Sequence, residues 1–238
     1  MALIEVDHLQ KTYGTDDAQT PALRGVSFQI AAGEFVAIMG PSGSGKSTLL
    51  HILGFLDRPT GGSYRFDGRH ADSFSDDELA QLRNQTMGFV FQAFNLLPRT
   101  TVLENVCLPL RYSQLPEREW RSRAERALTR VGLGHRLHHT PAQLSGGEQQ
   151  RAAIARALVL DPKVLFADEP TGNLDSVSGR AVMLLLRELH AEQGHTIILI
   201  THETATAEHA ERVLAFRDGR LERDERLAQS RRADQFTK

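Results

Sequence analysis

The sequence has little cysteine, no long hydrophobic run and almost no net charge. Its single cysteine, Cys107, permits no internal disulfide, so nothing indicates an oxidising compartment. No segment approaches the roughly 18 consecutive apolar residues of a membrane-spanning helix. The first residues include Glu5 and Asp7 and resemble no signal peptide, so we expect neither a leader nor a span. The 28 Lys and Arg nearly balance the 30 Asp and Glu, which predicts no nucleic-acid partner.

The 238 residues are 40% hydrophobic and 24% charged, which is typical of a globular protein with a sizeable core. Short β-rich segments dominate the first part of the chain, and Phe35–Met39 is one of them. Further along, Val164–Ala167 and Thr196–Ile200 are apolar on both faces, with helical stretches between them. Strands that are buried on both faces predict a parallel sheet covered by helices.

Helix starts are indicated by the capping boxes that begin at Ser75 and Thr101, where a glutamate stands three residues later. We expect Pro109 to end or kink the second of these helices, because proline cannot continue a helical hydrogen-bond pattern. The highly charged segment after Glu222 is expected to be helical or frayed.

A glycine-rich segment of the form G-x-x-x-x-G-K-S follows the apolar strand Phe35–Met39 and precedes a helix. Glycines allow the backbone to approach a phosphate closely, and the N–H groups at a helix start favour anions. We expect Lys46 to neutralise the β- and γ-phosphates of a nucleotide and the Ser47 hydroxyl to bind Mg²⁺. The predicted ATP-binding residues here are Gly40, Pro41, Ser42, Gly43, Ser44, Gly45, Lys46, Ser47 and Thr48.

Two adjacent acids end the apolar strand that begins at Val164. Asp168 is expected to hold Mg²⁺ through its water shell, and Glu169 to act as the general base for the attacking water. Their place at the carboxyl end of a parallel strand predicts that they meet the phosphate loop.

The segment Leu144–Arg151, with the sequence LSGGEQQR, resembles the signature of the ABC ATPases. It is also a capping box, from Ser145 to Glu148, with two glycines in the first turn of the helix. The resemblance implies a head-to-tail dimer with two ATP molecules between two copies of the chain. Residues that would contact the partner's ATP are Ser145, Gly146, Gly147, Glu148 and Asp175.

Other positions match motifs of the same family in the same order along the chain. Tyr13 matches the aromatic residue that stacks on adenine, and Gln92 the glutamine that reaches Mg²⁺ and senses the transmembrane partner. His202 matches the histidine that touches the γ-phosphate, so the implied catalytic residues are Glu169, His202 and Lys46. Within the family, the sequence around the phosphate loop and Gln92 is similar to that of the macrolide-export and lipoprotein-release (MacB/LolD-type) group.

The family implies an α/β fold: a phosphate-loop NTPase with a RecA-like core, an antiparallel β subdomain and an inserted α-helical signature subdomain. We expect the core over about 1–91 and 162–225, the helical subdomain over about 92–161, and a charged tail over 226–238. All 238 residues would then form one nucleotide-binding domain.

The implied function is that of an ATP-hydrolysing subunit at the cytoplasmic face of the inner membrane. It would drive a separate permease that docks near Gln92–Leu97. Two alternatives stay open: an ATPase that regulates cell-wall hydrolases at division, and a soluble ABC ATPase outside transport. Phe94, Leu96 and Leu97 could either pack in the core or form the docking groove.

Overall fold

Two β-sheets organise the computed structural model, which describes residues 2–14 and 18–227. An antiparallel four-stranded sheet has the order β2-β1-β4-β5, and a mixed six-stranded sheet has the order β10-β9-β3-β8-β7-β6. The strands are β1 (Ala2–Tyr13), β2 (Thr20–Ala31), β3 (Phe35–Met39), β4 (Gly61–Phe66), β5 (Arg69–His70), β6 (Met87–Phe91), β7 (Val164–Asp168), β8 (Thr196–Thr201), β9 (Arg212–Arg217) and β10 (Arg220–Arg226).

The central strands of the larger sheet run parallel to one another, as their two-sided apolar sequences predict. Alternate side chains of β3 enter two different cores, because neighbouring residues of a strand point to opposite faces. Phe35 and Ala37 pack with the helices, whereas Val36 and Ile38 pack toward the antiparallel sheet. The carboxyl ends of β3, β6, β7 and β8 therefore meet at one edge, where ligands of α/β sheets bind.

Seven α-helices accompany the sheets in the described residues. Ser75 and Thr101 form the predicted capping boxes, and the helix that begins near Thr101 ends at Cys107, before a 3₁₀ turn that contains Pro109. The helices are α1 (Lys46–Leu53), α2 (Asp76–Thr86), α3 (Val102–Cys107), α4 (Glu117–Arg130), α5 (Gly146–Leu158), α6 (Ser176–Gln193) and α7 (Thr204–Ala207).

The expectation of a helical or frayed segment after Glu222 is wrong as far as Arg226, because these residues belong to strand β10. Their charged side chains are compatible with an edge strand, since pairing with β9 uses the backbone. Arg212 of β9 also binds both carboxylate oxygens of Asp224 at 2.6 Å. The remainder of the charged tail, 228–238, lies outside the described residues.

Within 2–14 and 18–227, none of the helices is long and apolar enough to cross a membrane.

Candidate nucleotide site

The loop between β3 and α1 leads into a helix start whose backbone N–H groups have no side-chain cap. Gly43 and Gly45 have φ angles of 79° and 100°, a left-handed conformation that favours glycine. A Cβ atom on Gly45 would also lie 2.6 Å from the carbonyl oxygen of Ala22. Gly45 is the N-cap of α1 and supplies no side-chain cap, so the first N–H groups of this helix stay available to an anion.

A cavity of about 580 Å³ opens on this loop, within the size range of small-molecule sites. It brings together the phosphate loop, Glu169 and His202, whereas Tyr13, Gln92 and Asp168 are not among its lining residues. Ser44 is buried beneath the surface of the loop. The lining residues are Ala22, Pro41, Ser42, Gly43, Gly45, Lys46, Ser47, Thr48, Glu169, Ile200 and His202.

Lys46 is held by its own loop. Its Nζ donates hydrogen bonds to the carbonyl oxygens of Gly40 and Pro41, at 2.7 and 2.8 Å. Burial lowers the pKa of the Lys46 ammonium, and the nearby charges of Glu169 and Asp168 oppose that shift. An ammonium held in place at an open helix start suits an anionic ligand such as a phosphate.

The two acids after β7 have different surroundings. Burial raises the pKa of the Asp168 carboxyl, and the charge of Glu169 raises it further. Glu169 has a left-handed backbone with φ of 45°, and its N–H donates to the Ile200 carbonyl oxygen at 2.9 Å. Its Oε1 lies 2.8 Å from His202 Nδ1, so the histidine orients the carboxylate at the cavity. A base held by a second group in this way suits proton abstraction from water.

The oxygen donors at this edge fit Mg²⁺. Ser47 offers a hydroxyl, Asp168 a carboxylate and Gln92 a carboxamide oxygen, which are hard ligands of the kind that Mg²⁺ takes. Gln92 directly follows Phe91, whose Cα is paired with that of Asp168 in the sheet. No group of three or more His, Cys, Asp or Glu capable of holding a metal occurs in the described residues. This donor set suits an ion that keeps water and phosphate ligands.

Tyr13 is fixed by contacts that the sequence did not reveal. Its hydroxyl donates to Asp57 Oδ2 at 2.9 Å, and Lys11 Nζ lies 4.9 Å from the ring centroid and 2.6 Å from Asp57 Oδ1. Tyr13 as a residue is 40% exposed. Tyr13 pairs with Thr20 of β2, and Ala22, two residues further along, lines the cavity. Asp57 follows Tyr13 by 44 positions, and no motif marked the pair beforehand.

The start of α5 is a complete capping box, as the sequence predicts. Ser145 Oγ accepts a hydrogen bond from the Glu148 N–H at 3.3 Å, and Glu148 Oε2 accepts one from the Ser145 N–H at 2.9 Å. Arg136 Nε holds the other oxygen of Glu148 at 3.2 Å. Two of the helix's orphan donors are thereby satisfied, and the N–H groups of Gly146 and Gly147 are left.

The two glycines of this helix start differ in their surroundings. A Cβ atom on Gly147 would lie 2.7 Å from Ser178 Oγ, so close packing against α6 already requires glycine there. A Cβ atom on Gly146 would meet Leu174 at 3.4 Å, an ordinary contact. Asp175 caps α6 by accepting from the Val177 and Ser178 N–H groups. None of the residues expected to contact a partner's ATP lines the cavity described above.

The parallel sheet with its phosphate loop at the carboxyl edge defines the chain as a phosphate-loop NTPase of the α/β class. Residues 23–172 match the family model of the ABC transporters, and the chain belongs to that family. The sequence-based prediction of an ABC ATPase is confirmed, and the chain is an ATP-binding and ATP-hydrolysing cassette of this family.

Two relatives illustrate the range of similar proteins. The macrolide export ATP-binding/permease protein MacB of Syntrophobacter fumaroxidans is 52% identical over 224 residues, covering 93% of this chain and 31% of that protein. An uncharacterized ABC transporter ATP-binding protein of Thermotoga maritima is also 52% identical, covering 94% of this chain and 95% of its own length. The chain thus spans about a third of the length of the MacB relative. The predicted resemblance to the MacB/LolD-type group is confirmed by these similarities.

Among solved structures, a dimeric ATP-binding cassette in a post-hydrolysis state, bound to ADP and phosphate, is 45% identical with a TM-score of 0.85. The match covers 94% of this chain and 98% of that chain. The predicted fold class is confirmed by this similarity.

Proposed function

We propose that this cassette drives a membrane transporter or mechanotransmission complex of the macrolide-export and lipoprotein-release type. It would work as a head-to-tail dimer of two copies around two ATP molecules. The main support for the dimer is that two helix starts with available N–H groups, which favour anions, lie apart from each other in one copy. One lies at the cavity with Lys46, and the other, at Gly146, is absent from its lining. A second copy would supply the missing helix start to each cavity.

In this mechanism the α1 N–H groups and Lys46 hold the phosphates of ATP. His202 keeps the Glu169 carboxylate at the cavity through the 2.8 Å contact, and Glu169 accepts a proton from the attacking water. When bound, Mg²⁺ would neutralise phosphate charge, held by Ser47, by Gln92 and, through water, by Asp168. Tyr13 would stack on the adenine through its aromatic ring.

An apolar groove supports docking of a permease segment. Its cavity measures about 860 Å³ and lies between α2, β6 and α5, beside Asn95 of the Gln92–Leu97 segment. Tyr112 and Leu56 line it with 81% and 51% of their surface exposed, which is unusual for large apolar side chains. Leu97 is exposed too, whereas Phe94 and Leu96 pack against the core.

The cassette's location and its division into parts follow from the same mechanism. A motor that uses ATP and docks on a permease would lie peripherally at the cytoplasmic face of the membrane. The parts about 1–91 and 162–225 would form the ATP-binding core with its β subdomain. The helical part, about 92–161, would carry the signature helix, and the groove would lie between this part and the core.

The Glu169→Gln variant tests the proposal. Removing the general base should slow hydrolysis by about 10²–10⁴-fold while ATP still binds. The variant should therefore accumulate an ATP-dependent dimer, measured by light scattering after size-exclusion chromatography with and without ATP. A matched control combines Glu169→Gln with Lys46→Ala, which should stay monomeric. A Glu169→Gln protein that binds ATP and remains monomeric at micromolar concentration would contradict the dimer.

A further inference from the structure

Two side chains from distant parts of the sequence form a reciprocal pair at the carboxyl edge of the sheet. Gln92 Nε2 donates a hydrogen bond to Asn173 Oδ1 at 3.2 Å. Asn173 Nδ2 in turn donates to the backbone carbonyl oxygen of Gln92 at 3.1 Å. The two residues are 81 positions apart. Asn173 thus contacts both the main chain and the side chain of one residue.

This pair determines which end of the Gln92 amide faces Asn173. A backbone carbonyl can only accept, so the NH₂ group of Asn173 must point to it. The Asn173 oxygen then faces the Gln92 side chain, and it can bind only the NH₂ end of that side chain. The Gln92 oxygen Oε1 is consequently directed away from Asn173.

Gly172 provides the space for this arrangement. A Cβ atom there would lie 2.6 Å from Gln92 Nε2 and 2.9 Å from its Cδ, closer than real Cβ contacts. The three atoms nearest to that position are Nε2, Cδ and Cγ of Gln92, so the nitrogen side of the amide faces Gly172. Gly172 is anchored by its N–H, which donates to the Glu169 carbonyl oxygen at 3.0 Å. The pair is therefore attached to the segment that carries the general base.

We propose that Asn173 is a positioning residue that presents the amide oxygen of Gln92 to the magnesium ion of bound ATP, and that Gly172 makes this possible. Mg²⁺ binds oxygen and not an amide NH₂, so the orientation of the carboxamide decides whether Gln92 is a ligand. Groups that orient a ligand in this way change metal affinity by about 10–100-fold. This inference rests on the proposed role of Gln92 in metal binding.

The test measures how strongly Mg²⁺ improves ATP binding to the full chain. The dissociation constant of a fluorescent, non-hydrolysable ATP analogue is measured in EDTA and in saturating and limiting Mg²⁺. For Asn173→Ala we expect the apparent Mg²⁺ affinity of the complex to fall about 10-fold, with the metal-free constant unchanged. Asn173→Asp should give an intermediate loss, because it keeps the acceptor for Gln92 Nε2 but lacks the donor for the carbonyl. Gln193→Ala, which removes an exposed amide at the end of α6, serves as the matched control and should equal the wild type.

A double-mutant cycle separates positioning from general structural damage. If Asn173 acts through Gln92, Gln92→Ala with Asn173→Ala should lose no more Mg²⁺ affinity than Gln92→Ala alone. Additive losses would overturn the proposal, as would an Asn173→Ala protein with wild-type Mg²⁺ dependence. Equal weakening of metal-free and metal-bound ATP would overturn it as well. Failure of the proposed function looks different: Gln92→Ala itself would leave the Mg²⁺ dependence intact, or Lys46→Ala would bind ATP as the wild type does.

Discussion

Helices α1 and α5 both have glycine at their starts, as the N-cap of α1 and in the first turn of α5, but only α5 has a side-chain cap. Gly45 caps α1 without a side-chain acceptor, no acid stands in its first turn, and the ammonium of Lys46 is buried beside it. Ser145 and Glu148 close α5 with two hydrogen bonds, and Glu148 places a carboxylate in its first turn. The first turn of α1 therefore contains no acidic side chain, whereas the first turn of α5 contains the carboxylate of Glu148.

This difference indicates how the two sites could share one nucleotide. The start of α1, with its cation, is equipped to hold a polyphosphate by itself. At α5 the N–H groups of Gly146 and Gly147 can add hydrogen bonds, whereas the guanidinium of Arg136 is already paired with Glu148. We infer that α5 contributes to a phosphate that is already held, and not to its initial capture.

Lys46→Ala should show the largest loss of ATP affinity and sharpen this comparison. Loss of a charge-assisted contact of about 1.5–3 kcal/mol should weaken ATP binding by about 10–100-fold in a monomer. Equilibrium titration with a fluorescent ATP analogue measures it. Ser145→Ala, which removes the cap of α5, is the comparison variant and should bind ATP as tightly as the wild type under the same conditions. Equal losses in the two variants would break the distinction between the two helix starts.

Gly146→Asp should separate capture from dimer formation. The helix tolerates the change, since a Cβ atom meets Leu174 at 3.4 Å and an acid is favourable in a first turn. The new carboxylate would repel a phosphate of the partner's ATP, so ATPase activity should fall on the order of 10²-fold while ATP still binds. A colorimetric phosphate assay measures the loss.

A mixture of these two impaired variants tests whether each ATP site is shared between two copies. Lys46→Ala supplies an intact α5 start and Gly146→Asp an intact phosphate loop. A mixed dimer would therefore contain one complete site, and the mixture should regain activity that neither variant has. Absence of any recovery, with mixed dimers demonstrated by native mass spectrometry, would contradict sites shared between two copies.

The sequence predicted local features better than distant contacts. The capping boxes at Ser75 and Thr101 depend on residues three positions apart, and both formed as expected. The continuation of strand β10 beyond Glu222 was missed because its charged residues carry no periodic pattern, while its pairing depends on the backbone and on Arg212. The contact partners of the candidate site residues could not be predicted either, because these contacts join distant parts of the chain. Asp57 beside Tyr13 and Asn173 beside Gln92 are brought together by the sheets and not by spacing along the chain.

Asp168→Asn should stabilise the nucleotide-free protein. The raised pKa of Asp168 means that folding disfavours its charged form, so the wild type loses stability as pH rises through the interval between its usual and raised pKa. The neutral amide avoids this cost. We therefore expect the midpoint of thermal unfolding at neutral pH to be higher for Asp168→Asn than for the wild type.

The pH dependence provides the control for this prediction. The advantage of Asp168→Asn should shrink as pH falls below the pKa of Asp168, because the wild-type carboxyl then becomes neutral as well. Differential scanning calorimetry across that range measures it. A gain that is independent of pH would indicate a packing effect in place of an electrostatic one.

Tyr13→Phe should give the smallest loss of ATP affinity. It tests whether the protein holds the adenine of ATP separately from the phosphates. The variant keeps the ring and its contact with Lys11 but loses the 2.9 Å hydrogen bond to Asp57 that helps to orient the ring. A single hydrogen bond of about 0.5–1.5 kcal/mol predicts about a 3-fold weaker ATP affinity. Inorganic tripolyphosphate has no base and should bind both proteins equally, as isothermal titration calorimetry can measure. If tripolyphosphate binding falls by the same factor as ATP binding, Tyr13 acts by supporting the phosphate loop through β2, and the adenine-stacking role is wrong.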